Sequence, residues 1–114
     1  MQSGESMRTK ILEEFGDVSL TLLTRLRKAG LEAFGPLGFT PTEAMLLISI
    51  ERGHAQPKEL MLLLGIVMPA VSSMTTKLTE AGLLSKTVDD HDGRRVNIRL
   101  SDLGRAACDK IRKA

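Results

Sequence analysis

A chain of 114 residues and 12.4 kDa makes one compact domain rather than two, and a domain of that size hides roughly two-thirds of its unfolded surface without covalent staples. Cys108 is the only cysteine, which excludes an internal disulfide framework, and the three aromatic residues are all Phe, which leaves base stacking on single strands or an aromatic cage almost nothing to work with. The net charge of +2 does not by itself announce a polyanionic partner, but it is unevenly spread: residues 84–114 carry 8 basic against 5 acidic groups, with Arg94, Arg95 and Arg99 close together.

From Met7 to Phe34 the apolar residues Ile11, Phe15, Val18, Leu22 and Leu26 fall at helical spacing, with Leu12 and Leu23 beside them. The pattern predicts a long amphipathic helix in which Gly16 marks a kink or a close helix contact. Gly35-Pro36-Leu37-Gly38 ends it. Thr40-Pro41-Thr42-Glu43 restarts a helix, because Thr40 can cap, Pro41 suits the first helical position and Glu43 can close a capping box. That helix is expected over 41–52, apolar on most sides at Ala44, Leu47 and Ile48, and stopping at Gly53.

Pro57-Lys58-Glu59-Leu60 opens a third, shorter helix ending at Leu64, with Gly65 as the sharp turn. A fourth is expected over 68–81, where Pro69 is tolerable only in the first turn. Val71, Met74, Leu78 and Ala81 are read as its core face, and Ala70, Ser72, Ser73, Thr76, Lys77 and Glu80 as a small, polar outer face. After Gly82 the period changes to two: residues 84–88 read as one strand, and Val96, Ile98 and Leu100 alternate with Asn97 and Arg99 in another. Between them Asp89-Asp90-His91-Asp92-Gly93-Arg94-Arg95 makes a long, charged tip. Ser101 caps a last helix, with Asp102 at its positive end and Lys110, Arg112 and Lys113 at its negative end.

This order is a helix-turn-helix followed by a wing, in a mainly α (α+β) domain. Residues 1–35 form its first helix, 40–100 the core with the wing at 84–100, and 101–114 the last helix. The dimensions suit double-stranded DNA: a helix about 10–12 Å across enters a major groove about 12 Å wide, while a thin hairpin reaches the neighbouring backbone or minor groove. Ser72, Ser73 and Thr76 offer hydroxyls to phosphates or bases and Lys77 an ammonium to a phosphate; the bland alternative is a solvated face. At the tip, Asp92 can fix one guanidinium while the other, assigned here to Arg94, projects into a narrow minor groove; the alternative is two solvated arginines.

These features resemble the MarR family of transcription regulators. The resemblance is carried by Leu64-Gly65, by Val71-Ser72 and the run from Leu78 through Gly82-Leu83, and by Asp92-Gly93-Arg94-Arg95 followed by Leu100-Ser101-Asp102-Leu103-Gly104-Arg105. It implies a winged-helix homodimer on a pseudo-palindromic operator, usually a repressor and often released by a small ligand, here of unknown kind. By matching positions the DNA-binding residues are Ala70, Ser72, Ser73, Thr76 and Lys77 with Arg94 and Arg95, and Arg99 is added from the local charge. Family members usually dimerise through the first helix and two C-terminal helices, whereas this sequence ends at Ala114, within or just after the first of those. The expected dimer contact is therefore Ile11, Phe15, Val18 and Leu22 with Leu103, Ala107 and Ile111; the alternative is that the stripe packs on its own domain. Ser73 stands where the family tends to carry a basic residue and Val67 where it tends to carry a capping Ser or Thr. Together with the low overall charge and Met68-Pro69 at the start of the fourth helix, Ser73 favours a competing function, a winged-helix protein-interaction module, a co-regulator or anti-repressor with weak or lost DNA binding.

The remaining residues offer less. His91 among three aspartates matches no metal-ligand spacing, His54 has no partner visible in sequence, and Cys108 has no second thiol, so no metal or cofactor is expected. Met61, Met68 and Met74 read as adaptable core filler. No nucleophile with a nearby base, phosphate-cradling glycine loop or paired carboxylates point to an enzyme. No apolar run approaches the ~18 residues of a membrane span, and the first dozen residues lack the pattern of a secretory leader, so a soluble, cytosolic protein is expected.

Overall fold

The structure, a computed structural model, describes residues 2–88 and 95–114. In chain order it holds α1 (Gln2–Phe34), a single 3-10 turn (Gly35–Leu37), α2 (Pro41–Glu51), α3 (Pro57–Leu64), α4 (Met68–Glu80), β1 (Leu84–Val88), β2 (Val96–Leu100) and α5 (Asp102–Lys113). The expected elements are all present. The differences are at their ends: α1 starts five residues earlier than its apolar period, and α2 and α4 each stop one residue sooner than expected.

The core is built around α2, which packs against α1, α3, α5 and β2. Ala44, Leu46, Leu47 and Ile50 of α2 are buried with Leu60 of α3, Val71 and Leu78 of α4, Leu84 and Ile98 of the ribbon, and Cys108 of α5. Met61, Met68 and Met74 lie partly buried against this cluster, as core filler should. The start of α2 follows its sequence signal closely. Thr40 Oγ1 accepts from the Glu43 N–H at 3.1 Å, and Glu43 Oε1 accepts from the Thr40 N–H at 2.9 Å, which completes the capping box.

β1 and β2 pair antiparallel, with Leu84 opposite Leu100 and Val88 opposite Val96. The far side of β2 is tied to the body by the Ile98 N–H, which donates to the Ala55 carbonyl at 2.7 Å. α5 closes the domain over Leu83. Ser101 Oγ accepts from the Gly104 N–H at 3.0 Å and donates to the Gly82 carbonyl, while the Ser101 N–H donates to Leu83 O at 3.0 Å. Gly104 is required by space: a Cβ there would sit 2.1 Å from the Leu83 carbonyl oxygen.

α1 stands largely outside this body, in a molecule 62 × 36 × 20 Å in extent. Its last turns meet α2, with Gly30 so close to the Pro41 ring that a Cβ would come within 2.9 Å of it. Its helix runs unbroken through Gly16, where nothing in the described chain lies within 4 Å of an added Cβ. The close contact expected there is therefore not made within the chain. Ile11, Phe15, Val18 and Leu22 are all between 56% and 70% exposed, so the stripe does not pack on its own domain. Among the described residues no single helix is long and apolar enough to cross a membrane.

Two expectations about faces need correction. Ala107 and Ile111 are only 8% and 6% exposed and belong to the chain's own core, which removes them from the expected dimer contact, whereas Leu103 is exposed. The cause is the helical period. Residues four apart drift by about 40° per step on a helix, so Leu103 and Ile111 point in different directions. Gly104, Ala107, Cys108 and Ile111, at intervals of three and four, share the buried face instead. On α4 the buried set is Val71, Thr75 and Leu78; Met74 is half-buried, and Ala81 caps the helix in solvent.

Candidate nucleic-acid interface

α3 and α4 form the two arms of a turn motif. Gly65 adopts a left-handed conformation (φ 64°) that ends α3, with the Gly65 and Ile66 N–H groups both returning to the Met61 carbonyl. A side chain would be strained at that φ. Across residues 65–67 the axis bends by 113°, within the range of helix-turn-helix units. α4 rests on α3 and β1, which leaves its opposite side outward.

That outward side carries Ser72, Ser73, Thr76, Lys77 and Glu80, all exposed, with Ala70 half-buried at its edge. The hydroxyls of the two inward threonines are spent on helix carbonyls: Thr75 Oγ1 donates to Ser72 O at 3.1 Å and Thr79 Oγ1 to Thr75 O at 2.6 Å. Ser72, Ser73 and Thr76 make no such bond among the described residues, so three adjacent hydroxyls are left for an external partner. Val67 precedes the helix without any side-chain cap, and Pro69 removes one of the first N–H donors.

Lys77 differs from its neighbours. Its ammonium lies 3.0 Å from Glu43 Oε2; the lysine side chain is 67% exposed while that of Glu43 is only 4% exposed. Burial pushes the Glu43 carboxyl up, but the Thr40 backbone N–H, Lys77 and the Thr40 hydroxyl together hold it below the usual 4.5. The phosphate contact expected of Lys77 thus starts from an ammonium already committed to a carboxylate.

On the ribbon, Arg95 is exposed at the entry to β2 and carries no ion pair among the described residues. Arg94, with Asp92 and His91, falls in residues 89–94, outside the described residues. Arg99 is exposed on β2 and lines a hollow of about 550 Å³ with Ile50, Glu51, Leu100, Arg105 and Asp109. The structure therefore groups Arg99 with α5 and the end of α2, and does not bring it to the hydroxyl face of α4. Sequence reasoning misses Lys86, an exposed cation of β1 without an ion pair among the described residues; its place in a strand beside a basic tip was the available signal.

The isolated residues find ordinary partners. His54 Nδ1 lies 3.0 Å from Glu59 Oε2 across the α2–α3 turn, a partner five residues on that the sequence pattern does not reveal. Cys108 is fully buried; burial first, then the nearby Glu51 carboxylate, pushes its thiol up to about 11. A thiol so placed stays protonated and unreactive near neutral pH. Glu51 and Asp109 both accept from the Arg112 guanidinium, which ties α5 to the end of α2.

The model of the MarR family matches residues 37–95, from the α1–α2 connection to the entry of β2. Among solved structures, the transcriptional repressor CouR bound to a 23-mer DNA duplex is 26% identical; the alignment covers 90% of this chain and 73% of that one, with a TM-score of 0.82. Apo wild-type MarR from E. coli is 23% identical over 86% of this chain and 73% of that one, with a TM-score of 0.78. A mutant E. coli MarR complexed with operator DNA gives 23%, 88% and 72%, with a TM-score of 0.81. A search of curated protein sequences gave no match.

Proposed function

The chain belongs to the MarR family, and from that premise we propose that it is a sequence-specific double-stranded DNA-binding transcriptional regulator that works as a homodimer and represses its target. The observation that carries this reading is the outer face of α4, where Ser72, Ser73 and Thr76 present three hydroxyls without a partner among the described residues, on a helix set 113° from its neighbour, with the exposed Arg95 and Lys86 on the adjoining ribbon. Small side chains let that helix approach base edges closely, and the ribbon cations supply contacts to the backbone. The structures of CouR on a duplex and of E. coli MarR on operator DNA support the same use of this architecture.

The homodimer is supported by the stripe Ile11, Phe15, Val18 and Leu22, which finds no cover among the described residues. Leu103 and Ala106 line a second apolar surface, a groove of about 340 Å³ between α5 and the α1–α2 connection, whose floor includes Ala107. Two-fold pairing of such chains would place two copies of α4 for successive turns of duplex.

A titration of random-sequence and own-upstream duplexes against salt tests the DNA reading. The expected result is an affinity whose logarithm falls linearly with the logarithm of salt concentration, higher for the upstream duplex. In a purified transcription assay from that upstream region, added protein should lower the yield. Flat or absent binding would favour a second reading, a module for protein contact with DNA binding weak or lost. That reading draws on specific observations: α4 has no side-chain cap at Val67, and its one outward cation, Lys77, is neutralised by Glu43.

A further inference from the structure

The Glu43–Lys77 pair has an unusual division of labour. Glu43 sits in the first turn of α2 with its carboxylate buried: Oε1 accepts the Thr40 N–H at 2.9 Å and Oε2 faces the Lys77 ammonium at 3.0 Å. An ion pair between two exposed groups contributes little. A pair with one buried member behaves differently, because removing the cation strands a desolvated charge. Lys77 therefore cannot leave for a phosphate without leaving Glu43 uncompensated.

The position of the pair gives it a mechanical role. α4 packs on α3 and β1 and shares the core cluster with α2 through Val71 and Leu78, and the Glu43–Lys77 bridge adds a polar tie between the two helices. The same first turn of α2 holds Pro41, against which Gly30 of α1 closes. One turn of helix thus touches both the long outer helix and, through one ammonium, the middle of α4.

We propose that Lys77 is a positioning residue and not a phosphate contact: held by the buried Glu43 carboxylate, it sets the angle of α4 on the α2 turn that also seats α1. The inference rests on the DNA-binding reading above for its functional consequence, while the bridge itself is a property of the fold.

The test is a cycle of Lys77→Met, Glu43→Gln and the double variant. Glutamine keeps an acceptor for the Thr40 N–H and needs no cation. Thermal melting and the salt dependence of duplex binding are measured for all four proteins. Lys77→Met should lower the melting temperature and weaken duplex binding by about tenfold, with the slope of log affinity against log salt unchanged. Adding Glu43→Gln should restore most of both losses, because no buried charge is then left unpaired. A lysine bound to phosphate behaves in the opposite way: Lys77→Met would reduce the slope by ~0.9 per protomer, and Glu43→Gln would restore nothing. Either of those results overturns the proposal. If the unmodified protein shows no salt-dependent binding to any duplex, the DNA reading fails, and the melting cycle alone still decides the bridge: recovery in the double variant supports it and additive losses refute it.

Discussion

At the scale of single residues, two positions in α5 make the sharpest demands. Gly104 lies in a helix, where alanine is ordinarily favoured by about 1 kcal/mol. Here a Cβ would lie 2.1 Å from the Leu83 carbonyl oxygen, which also accepts the Ser101 N–H. Backbone yields less readily than a side chain, so the clash outweighs propensity. Gly104→Ala should destabilise by about 1–3 kcal/mol or more, read from the midpoint of urea unfolding. Cys108, one turn on, is buried with its thiol raised from 9.0 to about 11. That rise alone lowers the thiolate fraction at neutral pH about a hundredfold, so a thiol reagent should modify the native protein at least that much more slowly than the urea-unfolded chain. The linkage has a definite sign. Folding favours the protonated thiol, so its contribution is complete below pH 9.0 and is lost as pH rises towards about 11. Cys108→Ala should flatten that part of the stability profile.

The elements show why some of the molecule can be read from sequence and some cannot. Local signals were sufficient for the starts of α2 and α5, because a cap and its partner lie three residues apart: Thr40 with Glu43, and Ser101 with Gly104. The strands were equally legible, since the switch to a period of two brackets residues 84–88 and 96–100. Which face of a helix is buried was harder. On α5 the apolar residues at intervals of four suggested one surface, but small residues, Gly104 and Ala107, define the buried side, and a hydropathy pattern underweights them. Thr75 reads as polar in the sequence of α4 and yet lies on its buried side, because the helix absorbs its hydroxyl through the Ser72 carbonyl. The Glu43–Lys77 bridge joins positions 34 residues apart in two helices, and no local pattern announces it. The cap of α5 provides the element-scale prediction: Ser101→Ala removes both the acceptor for Gly104 N–H and the donor to Gly82 O, at a cost of about 1 kcal/mol, measured as a lower urea midpoint with the helix content of the native baseline retained.

For the whole molecule the decisive fact is that the apolar stripe of α1 lies outside the body that α2 organises. An apolar stripe of several helical turns left in water marks a contact still to be made. Replacing Phe15 and Leu22 together by glutamate should therefore turn the proposed dimer into a monomer in analytical ultracentrifugation at micromolar concentration, while urea unfolding of the body changes by less than about 0.5 kcal/mol. The same variant should lose most duplex affinity although neither residue lies near α4, because two reading helices tethered together gain from each other's presence. A protein already monomeric before substitution would remove the two-fold assembly from the proposed function.

The crossing of α1 over α2 at Gly30 and Pro41 has a consequence for geometry at a distance. A joint with so little clearance fixes how closely the two helices approach, and the length of α1 beyond it multiplies any small change of angle at the joint into a large displacement at the far end. If the chain pairs as proposed, a side chain at residue 30 would push α1 off the Pro41 ring, and the separation of the two copies of α4 would change with it.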